Sequence, residues 1–249
     1  MAARSTMRIQ LINPNTSADM TNAMALSAQS VALDSTQIIA CTPEHGPKSI
    51  ECAFDEVIAS AALLDLIEQG KQQGVDAHII ACFGDPALDA ARELADAPVI
   101  GIAEAGFQMA SLIAHRFGVV TTLSRTLPAS EHLLQKYGHQ HKCSGVRATD
   151  IPVLALENID PAAYQLLKTE CLAAIEEDGA EAIVLGCAGM SSLVEKLSAE
   201  LPVPIIDGVV AAVKLAESLH QLGLQTSKKG QYGQRVSKAF TGRYAHWSL

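Results

Sequence analysis

One segment of this chain occurs twice, and each copy runs an apolar strand into a cysteine. The first copy is Asp76-Ala-His-Ile-Ile-Ala-Cys82-Phe-Gly-Asp-Pro86, and the second is Glu181-Ala-Ile-Val-Leu-Gly-Cys187-Ala-Gly-Met190. In both, an acidic residue and an alanine precede a four-residue run, the cysteine comes next, and a helical stretch follows. Beyond each helix stands a Pro-led apolar strand, Pro98-Val-Ile-Gly-Ile102 in one half and Pro204-Ile-Ile-Asp207 in the other. Ile9-Gln-Leu-Ile-Asn13 and Gly118-Val-Val-Thr-Thr122 form a third matching pair. Short apolar runs alternating with helices predict parallel sheets covered by helices. Two half-domains related by approximate symmetry would aim two thiols at one shared cleft.

The remaining elements follow from periodicity and punctuation. Residues 8–13 read as the opening strand, and Thr16 or Ser17 caps a helix to about residue 31. A second strand covers 37–42. Phe54, Val57, Ala61, Leu64 and Ile67 recur at three- and four-residue steps, predicting a helix that buries that face. The second half reads as helix 104–115, strand 117–122, helix 128–137, a strand near 152–156, helix 161–178 and a closing helix 209–222. From Gln225 the chain turns basic, with Lys228, Lys229, Arg235, Lys238 and Arg243 and no acidic residue. That tail reads either as a mobile terminus or as an arm on a neighbouring subunit, where its charge suits an acidic body.

Composition limits the partners. A chain of 249 residues, 49% of them apolar, can bury a sizeable core. Its net charge of −9 argues against nucleic acid or an anionic membrane as the main partner. No apolar stretch approaches the ~20 residues that span a bilayer. The leading residues, Met1 to Met7, lack the apolar core of a secretory signal. A cytoplasmic protein is expected, with its thiols reduced. The six cysteines, at 41, 52, 82, 143, 171 and 187, include no CxxC spacing, so zinc and disulfide-exchange chemistry are not indicated. His139-Gln-His141, beside Gly138 and Lys142, reads as a solvated loop.

Cys82 and Cys187 each stand where a strand ends and a helix is about to begin, so helix amides are expected to lower both thiol pKa values. One thiolate could take a proton from carbon while the opposite thiol supplies one to the other face. The carbanion would spread its charge onto an oxygen held by N–H and hydroxyl groups. Gly84 and Gly189 leave room for close backbone approach, and Thr121 and Thr122 supply hydroxyls at a strand end. Asn13 to Ser17 form a polar turn at a carboxyl strand end, where α/β sheets bind ligands. Cys171 and Cys41 read as core residues, and Cys52 and Cys143 have no recurrent context.

These strings carry a family resemblance. Ile12-Asn-Pro-Asn-Thr-Ser17, Gly46-Pro-Lys-Ser-Ile-Glu51, Ile80-Ala-Cys-Phe-Gly-Asp-Pro86, Asp178-Gly-Ala-Glu181 and Leu185-Gly-Cys-Ala-Gly-Met190 resemble the hydantoin racemase branch of the aspartate/glutamate racemase superfamily. That branch includes allantoin racemases, and the resemblance runs from about Arg8 to Tyr232. It implies an α/β fold of two pseudo-symmetric lobes with the active site between them. It places residues 7–97 and 207–249 in lobe 1 with Cys82, and 98–206 in lobe 2 with Cys187. It implies racemisation of 5-substituted hydantoins or allantoin without metal, flavin or pyridoxal phosphate, in a homo-oligomer. Cys82 and Cys187 would be the acid/base pair, with Asn13, Phe83, Gly84, Thr121, Thr122, Ala188 and Gly189 around the substrate. Pro47, Ser49 and Ile50 would form a wall.

Departures from other branches bear on the substrate. Amino-acid racemases similar to this fold have Asn-Thr after the first cysteine and often His after the second; here Phe83-Gly84 and Ala188 stand instead. Decarboxylases of the superfamily lack the first cysteine. A maleate isomerase shares the two cysteines, but a dicarboxylate calls for cationic donors, and the motif segments contain no Arg. A two-lobed binding protein without chemistry is the reading from a different class.

Overall fold

The computed structural model describes residues 6–248. Of the leading segment read for an export signal, residues 1–5 lie outside the described residues. The first half runs β1 (Met7–Ile12), α1 (Ala18–Val31), β2 (Thr36–Cys41), α2 (Ala53–Gln72), β3 (Ala77–Ile80), α3 (Leu88–Leu94) and β4 (Val99–Gly101). Helix α4 (Ile102–Ile113) leads to the second half. That half runs β5 (Phe117–Thr121), α5 (Leu127–Lys136), β6 (Cys143–Ala148), α6 (Pro161–Glu176), β7 (Ile183–Gly186), α7 (Val194–Glu200) and β8 (Ile205–Ile206). Helix α8 (Gly208–Gln221) follows.

Both sheets are parallel and have four strands, in the orders β2-β1-β3-β4 and β6-β5-β7-β8. The equivalences read in the sequence therefore hold strand for strand: β1 with β5, β3 with β7, β4 with β8. Strand β4 pairs with β3, so the chain leaves the first sheet after Gly101, three residues beyond the crossing expected near Pro98. One core joins the halves. Ile9, Leu11 and Ile79 of the first sheet share it with Phe117, Val119 and Val184 of the second, through Phe107 of α4 and Val209 and Val213 of α8. Helix starts follow local chemistry: the Ser17 side chain accepts from the Met20 N–H, and Asp160, ahead of Pro161, accepts from that of Ala163.

Two expectations are corrected. The strand expected near 152–156 is a 3₁₀ helix, Val153–Asn158, which buries Val153 and Leu156 three residues apart. That spacing is the period of a 3₁₀ turn. The strand is β6, an edge strand half-exposed along its length, which has no alternation to betray it. In α2 the buried residues are Ala59, Leu63, Ile67 and Gly70, whereas Phe54 and Val57 are 73% and 69% exposed. Phe54 and Val57 therefore point away from the core, which takes Ala59 from the same two turns.

Part of the basic tail is held on its own chain. Lys228 Nζ donates to the carbonyls of Arg92, Glu93 and Ala95 at the end of α3, where a helix favours a cation. The Tyr232 hydroxyl donates to Asp89 at 2.9 Å, and Trp247 packs on the cluster around Ile12 and Leu63.

One buried polar group under β1 gives a test. His78 Nδ1 meets Gln10 Oε1 at 2.7 Å, and Gln10 Nε2 donates to the Leu66 carbonyl at 2.9 Å. Burial pushes the His78 imidazole down to about 4, so it is neutral and donates through Nδ1. A Cβ on Gly70 would land on the Gln10 side-chain oxygen and 2.9 Å from His78 Cε1. Gly70→Ala gains at most ~1 kcal/mol of helix propensity, while overpacking costs about 1–3 kcal/mol and displaces a buried hydrogen bond. A net loss of about 2 kcal/mol is expected in urea unfolding; a neutral or stabilised variant would contradict this packing.

Candidate active site

In each sheet the strand order reverses beside its second-placed strand, at β1/β3 and β5/β7. Such reversal points splay the connecting loops apart and leave a crevice at the carboxyl ends. The two crevices face one cavity of about 300 Å³. Asn13 follows β1, Cys82 stands two residues beyond β3, Thr121 ends β5 with Thr122 next, and Cys187 follows β7 directly. All of these line the cavity, as do Ile50, Phe83, Gly84 and Ala188. Cys82 and Cys187 are both half-buried and both reduced.

Three of the expected residues stand behind the wall. Pro47 accepts from the Thr16 N–H at 2.9 Å, tying its loop to the turn after β1. Ser49 precedes Ile50 and does not line the cavity. Gly189 contributes its backbone: its N–H donates to the Cys187 sulfur, and a Cβ there would crowd Leu156 and Met20 at 3.1 and 3.2 Å.

Hydrogen bonding sorts the polar side chains. The Asn13 amide donates to Asn15 Oδ1 at 2.7 Å, the Ser17 carbonyl at 3.0 Å and Thr21 Oγ1 at 3.0 Å, so its donors are committed to shaping the loop. Asn15, within the turn read as a ligand site but not singled out there, is the amide with a donor to spare, since its Nδ2 meets only the Met20 sulfur at 3.5 Å. The Thr121 hydroxyl donates to the Gly186 carbonyl at 2.9 Å. The Thr122 and Ser130 hydroxyls, both in the cavity lining, have no partner among the described residues and are able to donate to a ligand.

The cavity also holds residues that the duplicated segments do not contain. Glu51, Cys52 and Glu56 line it, and Arg125 stands exposed in its wall. Glu51 Oε1 accepts from the Val153 N–H at 2.9 Å, clamping the loop before α2 to the second half. The Glu56 carboxylate has no hydrogen bond or ion pair among the described residues, and burial raises its pKa. A Cβ on Gly84 would lie 3.6 Å from Glu56 Oε2 and 3.9 Å from Cys82 Sγ, so carboxylate and thiol border the same space. No signal in the sequence set Glu56 apart; it reaches the cavity because the start of α2, through Ala53 and Glu56, borders it.

The expected lowering of both thiol pKa values fails, and the loops explain it. Helix α3 begins only at Leu88, after a turn in which Asp85 and Ala87 both have positive φ. Cys187 opens a 3₁₀ segment, Ala188–Leu193, instead of an α-helix. Each sulfur receives one N–H, from Gly84 or Gly189, and burial outweighs it. Burial pushes Cys82 up to about 12, with smaller contributions from the charges of Cys187, Glu56 and Asp85. Cys187 is pushed up to about 11 by burial, with Glu51 adding to it.

Residues 9–216 match the family model described as Asp/Glu/Hydantoin racemase. The chain belongs to this family. It is 50% identical to a hydantoin racemase of Rhizobium meliloti over 236 residues, which are 95% of this chain and 98% of the relative. Identity to a hydantoin racemase of Pseudomonas sp. (strain NS671) is 46% over 236 residues, 95% of each chain. The structure of allantoin racemase from Klebsiella pneumoniae superposes with a TM-score of 0.94 at 50% identity, covering 97% of this chain and 99% of that one.

Because both thiols are raised, alkylation of the free enzyme should be slow at pH 7 and gain about tenfold per pH unit. The Cys82 and Cys187 peptides, followed by mass spectrometry with iodoacetamide, should show no plateau below pH 10. A plateau below pH 8 for either would mean a low-pKa thiol and contradict the burial effect.

Proposed function

We propose that this chain is a racemase of 5-substituted hydantoins, allantoin among the candidates, which works without metal or organic cofactor through Cys82 and Cys187. The observation that carries the reading is the pair of thiols, one from each equivalent strand end, that line one small cavity. The named relatives support the substrate class.

The chemistry follows from the ring. Its C5–H lies next to a carbonyl, so removing the proton sends the electron pair onto oxygen as an enolate. The Cys82 thiolate takes that proton, breaking C–H and forming S–H. The Cys187 thiol then gives its proton to the opposite face of C5, leaving a thiolate and the mirror-image ring. Solvent exchange restores the starting protonation, and the reverse direction exchanges the roles. The Thr122 and Ser130 hydroxyls and the spare Asn15 amide are donors available for enolate and ring oxygens. The charge of Cys187 opposes ionisation of Cys82, so one thiol is ionised at a time, as a one-acid, one-base exchange requires. Their pKa values near 12 and 11 are close enough that neither is fixed as the base.

A dicarboxylate isomerase is disfavoured by the charges present. Glu51 and Glu56 line the cavity, and the cation in its wall is the exposed Arg125. A neutral ring rich in N–H groups suits an unpaired carboxylate, whereas a dianion would meet repulsion. Among the described residues no helix is long and apolar enough to cross a membrane, in keeping with a cytoplasmic site of action. Phe54, Val57 and Ile58, exposed on α2, offer an apolar face for the homo-oligomer in this reading.

The test is polarimetric. Pure protein should bring the optical rotation of single enantiomers of allantoin and of 5-alkyl or 5-benzyl hydantoins to zero, with equal kcat/KM from either hand. Exhaustive chelation and dialysis should leave the rate unchanged, and maleate should not react. Inertness toward every hydantoin, or a chelation loss that added metal restores, would overturn the reading.

A further inference from the structure

The turn that carries Cys82 is closed by an acid that the proton transfers do not use. Asp85 stands three residues after the cysteine, and its N–H donates to the Cys82 carbonyl at 3.0 Å. Its backbone is held at φ 44°, a region that costs a non-glycine residue about 1 kcal/mol or more. Its carboxylate is buried, 4% exposed, and makes three hydrogen bonds. The Ala103 N–H reaches Oδ1 at 3.0 Å, and the Glu104 N–H reaches Oδ2 at 2.9 Å. These N–H groups belong to the first turn of α4, whose own N-cap, Gly101, has no side chain to offer. A Cβ on Gly101 would land on the Asp85 carboxyl group, so the glycine makes the space that the acid fills.

The third bond crosses between the halves. The Tyr137 hydroxyl, at the carboxyl end of α5, donates to Asp85 Oδ2 at 2.9 Å. Burial and the neighbouring carboxylate raise the phenol far above its usual range, so it remains a donor. The opposite end of the same helix forms cavity wall, through Pro128, Ala129 and Ser130. At 1.5 Å rise per residue those positions lie about 10–14 Å along α5 from Tyr137. One rigid element thus touches the substrate space at one end and the Cys82 turn at the other.

We infer that Asp85 is a positioning residue for Cys82, and that Tyr137 links its position to the helix that walls the substrate cavity. This rests on the assignment of Cys82 as one of the two acid/base groups. The strained turn persists because α4 and α5 grip its carboxylate from two directions. Burial raises Asp85 to about 6 against the pull of its three donors, so at neutral pH the ionised form is held at a cost in stability. Cys187 has no equivalent, since Met190, three residues after it, is buried and apolar. Loosening the link should therefore affect one thiol and spare the other.

Tyr137→Phe removes only the hydroxyl, and Lys136→Ala is the control. Lys136 pairs with Asp89 at 2.7 Å from the neighbouring position on α5, without touching Asp85. Tyr137→Phe should lower kcat on a hydantoin about tenfold with KM within twofold. It should also raise iodoacetamide labelling of the Cys82 peptide at least threefold at pH 9 while leaving the Cys187 peptide unchanged. Lys136→Ala should leave kcat and both labelling rates as in the parent. The inference is overturned if Tyr137→Phe keeps full kcat, if both cysteines change together, or if Lys136→Ala reproduces its effects. Labelling does not depend on turnover, so a parent enzyme inert toward hydantoins would refute the proposed function while still reporting on the link.

Discussion

Parallel strand pairing governs this molecule, because it sends every strand end of a sheet to the same edge. Leu11 and Ile12 of β1 lie in register with Ile79 and Ile80 of β3, and Thr121 of β5 with Gly186 of β7. Carried one residue further, those registers set Asn13 against Ala81, one residue short of Cys82, and Thr122 against Cys187. A slip of one residue in either sheet would turn a thiol toward the opposite face. The shared core of α4, α8 and both sheets then fixes one edge against the other. A cavity lined by a thiol from each sheet is the consequence, and the proposed chemistry depends on that placement more than on any single hydrogen bond.

The cavity is poor in positive charge and rich in acid. Burial makes each thiol a reluctant acid, and the carboxylates of Glu51 and Glu56 add to that effect. A reluctant acid has a strongly basic conjugate thiolate, which suits proton removal from carbon once a ligand has excluded water. The same charges discriminate among ligands by desolvation and repulsion. A carboxylate-bearing molecule would have to displace water from acids without gaining a buried cation, whereas a hydantoin offers N–H donors to them.

Much of the fold was legible because the buried strands are short, apolar and bounded by turn residues. The repeat around Cys82 and Cys187 exposed the pseudo-symmetry and with it the two thiols, Phe83, Gly84 and Ala188. Edge strand β6 was not legible, because half-exposed Ser144, Val146 and Arg147 leave no alternation. The apolar steps of Phe54 and Val57 suggested a buried face, but both side chains lie in solvent and Ala59, Leu63 and Ile67 take the core. Charge pattern set the tail apart from the core but could not place Lys228 on the α3 carbonyls, a contact between positions 133 residues apart. Asn13 was found for its position, but its donors prove to be spent on the loop, and Asn15 has the spare amide. Helix-end amides were expected to activate the thiols; local strand-to-helix order could not show that a strained turn and a 3₁₀ segment intervene.

The central claim is that the two thiols address opposite faces of one carbon. Hydrogen exchange in heavy water tests it most directly, with Cys82→Ser and Cys187→Ser each given separate enantiomers of one hydantoin. Serine keeps nearly the same shape but its hydroxyl is too weak an acid to serve as the exchanging base. Each variant should lose racemisation almost completely and still exchange the C5 hydrogen of one hand only, with the two variants choosing opposite hands. Exchange of the same hand by both, or racemisation by either at a tenth or more of the parent rate, would contradict the account.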